Sequence, residues 1–461
     1  MIRDRLTRIR DIFEAVLENN PAVIGQPHTI QARVKSHRPS GGIGFIACTD
    51  GSTFVPCQVV YNNDTAGDFQ ATIGTGAVIE CEGRIVPTPD ARQPFDFVAD
   101  HIRVLGEVAD DYPLQKHRIG FEKLREMPHL RPRTNTFDAV FKIRNTLCMA
   151  IHNYLQARDF QYITTPIVTT NDAEGAGEAF TVTTRNDGKY DEDFFGCHAS
   201  LTVSGQLHVE PFALAFGNVY TFGPTFRAEN SNTPYHASEF WMIEPEIAPG
   251  DLEDNMVLIE GIVKYCITEV LAKHPDEMAF LNKFVDKKHT LIQDLERAAS
   301  ADFKVFTYDD AVRYLQEADR TFEYPVEWGV DLKTEHERYL CEDLAQGPVF
   351  IINYPKDIKA FYMRMNDDGK TVAACDLLVP GVGELIGGSQ REERYDALIA
   401  RMHEMHVPTE PLRWYIDLRR FGTIKHAGFG IGLERMMLYL TRIGNIRDTL
   451  PYARTPRNCR F

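Results

Sequence analysis

Residues 221–246, TFGPTFRAENSNTPYHASEFWMIEPE, decide how this sequence is read. They place Arg227, Glu229, His236, Glu239, Phe240 and Glu244 within eighteen positions. The flanking runs are apolar and strand-like, which predicts two antiparallel strands joined by a polar loop. A hairpin of that kind presents cations and carboxylates on one face, as a polyphosphate substrate with magnesium requires. The competing reading of this segment alone is an ion-pair-rich surface hairpin.

Working outward, upstream residues 136–160, TFDAVFKIRNTLCMAIHNYLQARDF, hold mostly apolar residues at helical spacing from Phe137 to Leu155. The strand-like FQYITTPIVTT follows at 160–170, and strands and loops are expected to dominate from there to about 250. Downstream of the hairpin, helical patterns fill 251–318, and strands are expected at PVFIINY, AFYMRMND and TVAACDLL, the last two joined through an Asn-Asp-Asp-Gly turn. A Gly-rich turn then enters a helix in HAGFGIGLERMMLYL, residues 426–440. Strands and helices segregated in this way predict an α+β fold, not a doubly wound sheet.

Residues 21–107 have another character. Five short β-prone runs, HTIQARVKSH, GIGFIACTD, TFVPCQVVY, AVIECEGRIV and FDFVADHIRVLG, are separated by Gly and Asp turns and follow an amphipathic N-terminal helix. Five strands in under a hundred residues predict a small barrel, an OB-fold first, with a generic β-domain as the alternative. Residues 108–132 carry Pro113, Pro128 and Pro132 among charges and read as a hinge. The expected division is therefore a helix plus barrel at 1–107, a hinge at 108–132 and a larger domain at 133–461.

Bulk composition bounds the function. A chain of 461 residues is long enough for two or more cores, and 43% hydrophobic with 25% charged residues is globular usage. The N-terminus has no apolar core of a secretory signal, and no uncharged stretch reaches a membrane span, so a soluble, cytoplasmic protein is expected. Nine cysteines stand singly, without a CxxC pair, which excludes a zinc knuckle or thioredoxin-like motif. The net charge of −16 argues for a small-molecule enzyme over a nucleic-acid binder, although screening lets an acidic protein keep one basic groove. Three apparent motifs are decoys. The glycines of AGFGIGLER do not open a βαβ unit, Gly369-Lys370-Thr371 sits in a hairpin turn, and His403-Glu404-Met405-His406 is too closely spaced for HExxH.

Taken together, the hairpin resembles motif 2 of class II aminoacyl-tRNA synthetases. Gly430-Ile431-Gly432-Leu433-Glu434-Arg435 resembles motif 3, and the helix with FQYITTPIVTT and Pro166 resembles motif 1. These would lie at about 137–170, 219–247 and 426–442, with a helical insertion at about 251–320. The resemblance implies an N-terminal OB-fold anticodon-binding barrel and a catalytic antiparallel sheet flanked by helices. It also implies ATP as substrate, Mg²⁺ as cofactor and a homodimer formed through motif 1. By position, Arg227 would grip the α-phosphate and, with Arg435, act catalytically, with Glu229 beside it in the ATP site. Phe240 and Arg435 would sandwich adenine, and His236 with Arg435 would hold the γ-phosphate. Asp376 and Glu384 would bind magnesium.

LTVSGQLHVE, EFWMIEPE, NYPKDIKAFYMR, GVGELIGGSQREER and NIRDTLPYARTPRNCRF are similar to segments of the asparaginyl members of the aspartyl, asparaginyl and lysyl subclass. Aspartyl members carry a lysine shortly after the Gln of their SPQ run, whereas Gln206 here is followed by Leu207, His208 and Val209. A buried substrate carboxylate needs a compensating cation, while an amide needs one donor and one acceptor. The resemblance makes Arg391 the donor to the side-chain oxygen, Glu244 the acceptor from the amide nitrogen, and Glu174 with Gln206 the ligands of the α-amino group. Glycines around Glu174 fit a mobile lid. The subclass more commonly has Asn where His208 stands, so a different pocket wall is expected. In the barrel, Phe45 would stack on the central anticodon uridine of tRNA(Asn), Gln58 would bond its edge, and Arg38 would lie nearby; core packing is the alternative for Phe45. Aspartyl-tRNA ligation, asparagine synthesis from aspartyl-adenylate and tRNA binding without catalysis are the rival functions.

Overall fold

The structure is a computed structural model that describes all residues except 1–5, 65–72, 92, 116–118 and 172–178. The chain divides into two units, Met1–Ala139 and Val140–Phe461.

In the first unit, five strands close into a barrel: Pro27–Ser40, Ile43–Thr49, Cys57–Asn62, Val78–Pro87 and Phe95–Gly106. Alternation along each strand sends Ile30, Ala32, Val34, Ile46, Cys48, Cys57, Val59, Ile79 and Cys81 inward. The helix Ile9–Leu17 adds Ile9, Ile12 and Val16 to the same core, and Phe13 meets Phe95 edge-on at 4.8 Å. Burying side chains of this size contributes about 1.5–3 kcal/mol each. Gly44 is required by packing, because a Cβ there would lie 2.0 Å from the Tyr61 ring.

The second unit is built on an eight-stranded sheet. Its order is Lys304–Thr307, Val349–Pro355, Thr371–Val379, Gly383–Gln390, Ala427–Gly432, Glu239–Ile247, Val219–Phe226 and Gln161–Tyr162. The six central strands pair antiparallel; only the two edge pairings are parallel. The helix Leu252–Lys273 starts from a capping box at Asp251 and Asp254 and crosses the sheet's back, where Asn255 donates to the Gly428 carbonyl at 3.0 Å.

Three local expectations change. Residues 360–367 do not form a strand, because Met363 bridges to Arg391 and Met365 to Val372, two different neighbours, and no ladder builds. Gln206–Phe216 is a helix despite Pro211, which costs one N–H and not the whole element. The segment read as a wholly helical insertion contains Lys304–Thr307, which pairs parallel with Val349–Pro355 at the sheet edge.

Candidate active site

The motif-like hairpin forms as expected, with Phe226 opposite Glu239, Thr225 opposite Phe240 and Thr221 opposite Glu244. The period-two rule sends Phe240, Met242 and Glu244 to one face, and all three line a cavity of about 290 Å³. Arg227, Glu229 and His236 enter its wall from the loop side, Asp376 from the strand Thr371–Val379, Glu384 from the strand Gly383–Gln390 and Arg391 from just past the end of that strand. Arg435, on the first turn of the helix Leu433–Thr441, completes it. The structure therefore brings together every expected ATP, metal and amino-acid residue that it describes. Glu174 lies outside the described residues.

At one end, the Arg227 guanidinium sits 5.4 Å from the Phe240 ring centroid, within cation–π range. Arg435 donates to the Glu384 carbonyl at 3.1 Å and lies 3.3 Å from its carboxylate. Burial pushes the Glu384 carboxyl up, but Arg435 and Lys359 outweigh it and hold it below its ordinary range. His236 is pushed down by burial and by the nearby Arg435, so its ring is neutral at neutral pH and offers a hydrogen bond without a charge. Glu434 is buried beside the site, where it accepts from Arg144 at 2.7 Å and from the Trp241 N–H at 3.0 Å.

Asp376 and Glu384 converge over Gly387, where a Cβ would lie 3.4 Å from the first and 3.1 Å from the second. The space left by that glycine, lined by hard carboxylate oxygens, fits magnesium. Among the described residues no group of three or more His, Cys, Asp or Glu side chains is arranged to hold a metal by itself. That suits an ion that takes most of its ligands from water and phosphate.

At the other end stand Ser204, Gln206, Glu244 and Arg391. The Glu244 carboxylate accepts from the Ser204 hydroxyl and, at 2.8 Å, from the Gly205 N–H. Arg391 is 3% exposed and forks onto Glu246, which is fully buried, while its Nη1 donates to Ser389 at 2.9 Å. Those bonds use three of its five N–H donors, and Arg391 also lines the cavity. Gly428 makes the pair possible, since a Cβ there would strike the Glu246 carboxylate at 2.3 Å. Behind this pair, Glu210 accepts from Tyr415, Arg419 and His426. Burial favours its neutral form, but Arg419 and His426 hold it ionised well below the ordinary carboxylate range. His208 faces away from the cavity and stacks on Trp414 at 5.3 Å, so the pocket wall is unaffected by it.

In the barrel, Arg38 pairs directly with Phe45, and Gln58, paired with Ala47, lies diagonally across from Phe45. Ile46, Cys48, Cys57 and Val59 fill the core, so Phe45 belongs to the opposite face and is only half-buried. Gln58 donates to Asp96 at 3.0 Å.

Sequence reasoning missed Lys359, which lines the cavity, and two carboxylates that contact its lining residues, Glu246 on Arg391 and Glu337 on Glu384. Glu246 was within reach of strand alternation, since it shares a face with Glu244. Lys359, which donates to Asp376 at 2.6 Å, and the half-buried Glu337 carry no such signal. Glu337 accepts the Glu384 N–H at 3.1 Å and is pushed up to about 8 by burial and then by the Glu384 charge.

Residues 122–456 match the family described as tRNA synthetases class II (D, K and N), and residues 28–105 match the OB-fold nucleic acid binding domain. The asparagine–tRNA ligase of Desulfitobacterium hafniense is 52% identical over 98% of this chain and 99% of its own length. The chain belongs to the class II asparagine–tRNA ligase family. A Clostridium tetani asparagine–tRNA ligase is 53% identical over 93% of the chain. The asparaginyl-tRNA synthetase of Pyrococcus horikoshii, solved with asparaginyl-adenylate, covers 99% of both chains at 29% identity and a TM-score of 0.86. Family membership places the OB-fold and the class II sheet described above in their expected order. No described helix is long and apolar enough to cross a membrane.

Proposed function

We propose that this protein activates asparagine with ATP and transfers it to tRNA(Asn), as a cytoplasmic enzyme. A carboxylate oxygen of asparagine attacks the α-phosphorus of ATP, the bond to the β-phosphate oxygen breaks, and pyrophosphate leaves. The 3′-OH of the terminal tRNA ribose then attacks the acyl carbon of asparaginyl-adenylate and releases AMP. Arg227 balances charge on the α-phosphate during the first step, the kind of fixed electrostatic stabilisation that needs no reorganisation as the reaction proceeds. Phe240 and Arg435 take the adenine between them, His236 and Arg435 hold the γ-phosphate, and Glu229 completes that wall. Asp376 and Glu384 hold magnesium, which when bound neutralises phosphate charge. Gln206, with Glu174, binds the α-amino group.

One observation carries the choice of amino acid: a carboxylate, Glu244, and a guanidinium, Arg391, line one cavity with no added cation from the helix after Gln206. Leu207 and Val209 are fully buried and apolar, and burial pushes the stacked His208 down toward neutrality. Arg391 donates to the amide oxygen and Glu244 accepts from the amide nitrogen, while Glu244 repels a substrate carboxylate. On the barrel, Phe45 stacks on the central anticodon base, with Gln58 and Arg38 beside it. Exposed Met149, Tyr162, Ile167 and Trp241 on and beside the motif 1 helix and strands supply an apolar surface for a homodimer.

ATP–pyrophosphate exchange with asparagine against aspartate, followed by charging of tRNA(Asn), tests the reading. Exchange with asparagine alone is expected; exchange driven by aspartate alone, or by neither, refutes it.

A further inference from the structure

Each carboxylate of the expected magnesium site already has a cation. Lys359 donates to Asp376 at 2.6 Å, and Arg435 lies 3.3 Å from the Glu384 carboxylate. The ammonium group of Lys359 also rests 3.9 Å from the centroid of the Tyr354 ring, whose face favours a cation. Its side chain and that of Asp376 are only 15% and 10% exposed, so water screens the pair poorly.

The two carboxylates and two cations sum to zero charge around Gly387. Magnesium gives up its water reluctantly, and a neutral site with two protein carboxylates offers little to replace it. A triphosphate changes the balance, because its oxygens draw Lys359 and Arg435 away and supply further ligands themselves. We infer that Lys359 is the resident counter-cation of this acid pair and that it keeps the site closed to free divalent ions until nucleotide arrives. Resting on the ATP-dependent reading above, the inference assigns Lys359 two alternating partners: Asp376 in the empty site and a phosphate oxygen in the loaded one. The ion then enters bound to ATP, and the acids are not blocked by a divalent ion lacking its nucleotide.

The test reads metal binding and not turnover. Free Mn²⁺ is followed by electron paramagnetic resonance during titration of the full-length protein without nucleotide. The wild type is expected to show no site tighter than millimolar. K359M and K359Q, which remove the charge, are expected to bind Mn²⁺ roughly tenfold or more tightly than wild type. K359R, which keeps the charge, is expected to match wild type. Thermal melts identify which variants fold. An unchanged Mn²⁺ affinity in a folded neutral variant overturns the inference, as does an equal gain in K359R. A micromolar site in the nucleotide-free wild type overturns it without any variant. Because neither asparagine nor tRNA is present, this failure is separate from a failed exchange assay.

Discussion

Replacing Glu246 with Gln tests whether the Arg391 fork is the element that reads the amino acid. Both partners are buried, and Glu246 sits against Gly428 with no room for a rearranged side chain. Burial opposes the Arg391 charge and Glu246 offsets it; without Glu246 the guanidinium still stays protonated, because its intrinsic basicity keeps it charged in proteins. The Gln oxygen keeps one hydrogen bond, while its NH₂ turns a donor toward a guanidinium that has none to accept it. Breaking a buried ion pair costs about 3–5 kcal/mol, and the retained bond returns ~1 kcal/mol, leaving a loss of about 3 kcal/mol. Shared between fold and substrate, that loss lowers the melting temperature of the catalytic unit by about 5 °C. It also raises the KM for asparagine by at least ~10-fold, since each 1.4 kcal/mol is a factor of ten. The KM for ATP should stay within about twofold, because Arg227, Phe240 and Arg435 do not touch the pair. Aspartate should gain relative to asparagine, its carboxylate now facing an unpaired cation. Pyrophosphate exchange with both amino acids, alongside a thermal melt, measures all of this. Wild-type melting together with a wild-type KM would show that Ser389 and the backbone hold Arg391 without Glu246, and the reasoning would fail.

Arg435→Ala should abolish pyrophosphate exchange while tRNA affinity in a filter-binding assay changes little; loss of both would point to a misfolded chain. Phe45→Ala should weaken tRNA by about 1–3 kcal/mol, roughly 5- to 150-fold in the charging KM, with exchange unaffected. A drop in exchange or in barrel stability would return Phe45 to core packing. Glu337 bears on pH. Its folded pKa is raised to about 8, so its contribution to stability is complete below the ordinary carboxylate range and declines as pH climbs through 8. Across that window the loss is at most about 1.4 kcal/mol per pH unit. Glu337→Gln should therefore melt higher than wild type at pH 9 and nearly level with it at pH 5; parallel melting curves would remove the carboxyl from the account.

Where an element's identity depends on near neighbours in the chain, the sequence was enough. Alternating Ile30, Ala32 and Val34 specify a barrel strand, and the spacing from Phe137 to Leu155 specifies a helix, because periods of two and 3.6 are local properties. The same locality misled at residues 360–367, which alternate like a strand but find no single neighbour to pair with. It also hid the helix Gln206–Phe216 behind Pro211. Family resemblance extended that reading to residues far apart, and the structure brings Arg227, Glu244, Glu384, Arg391 and Arg435 to one cavity.

The sequence by itself determined the order of elements, the two kinds of domain and the side chains available for ATP chemistry. Tertiary structure alone decided which charges neutralise one another: Arg391 with Glu246, Lys359 with Asp376, and Glu337 set against Glu384, where burial and that charge outweigh Arg435. Coulomb energy depends on distance through space and on burial, and neither is written in the spacing of residues along a chain.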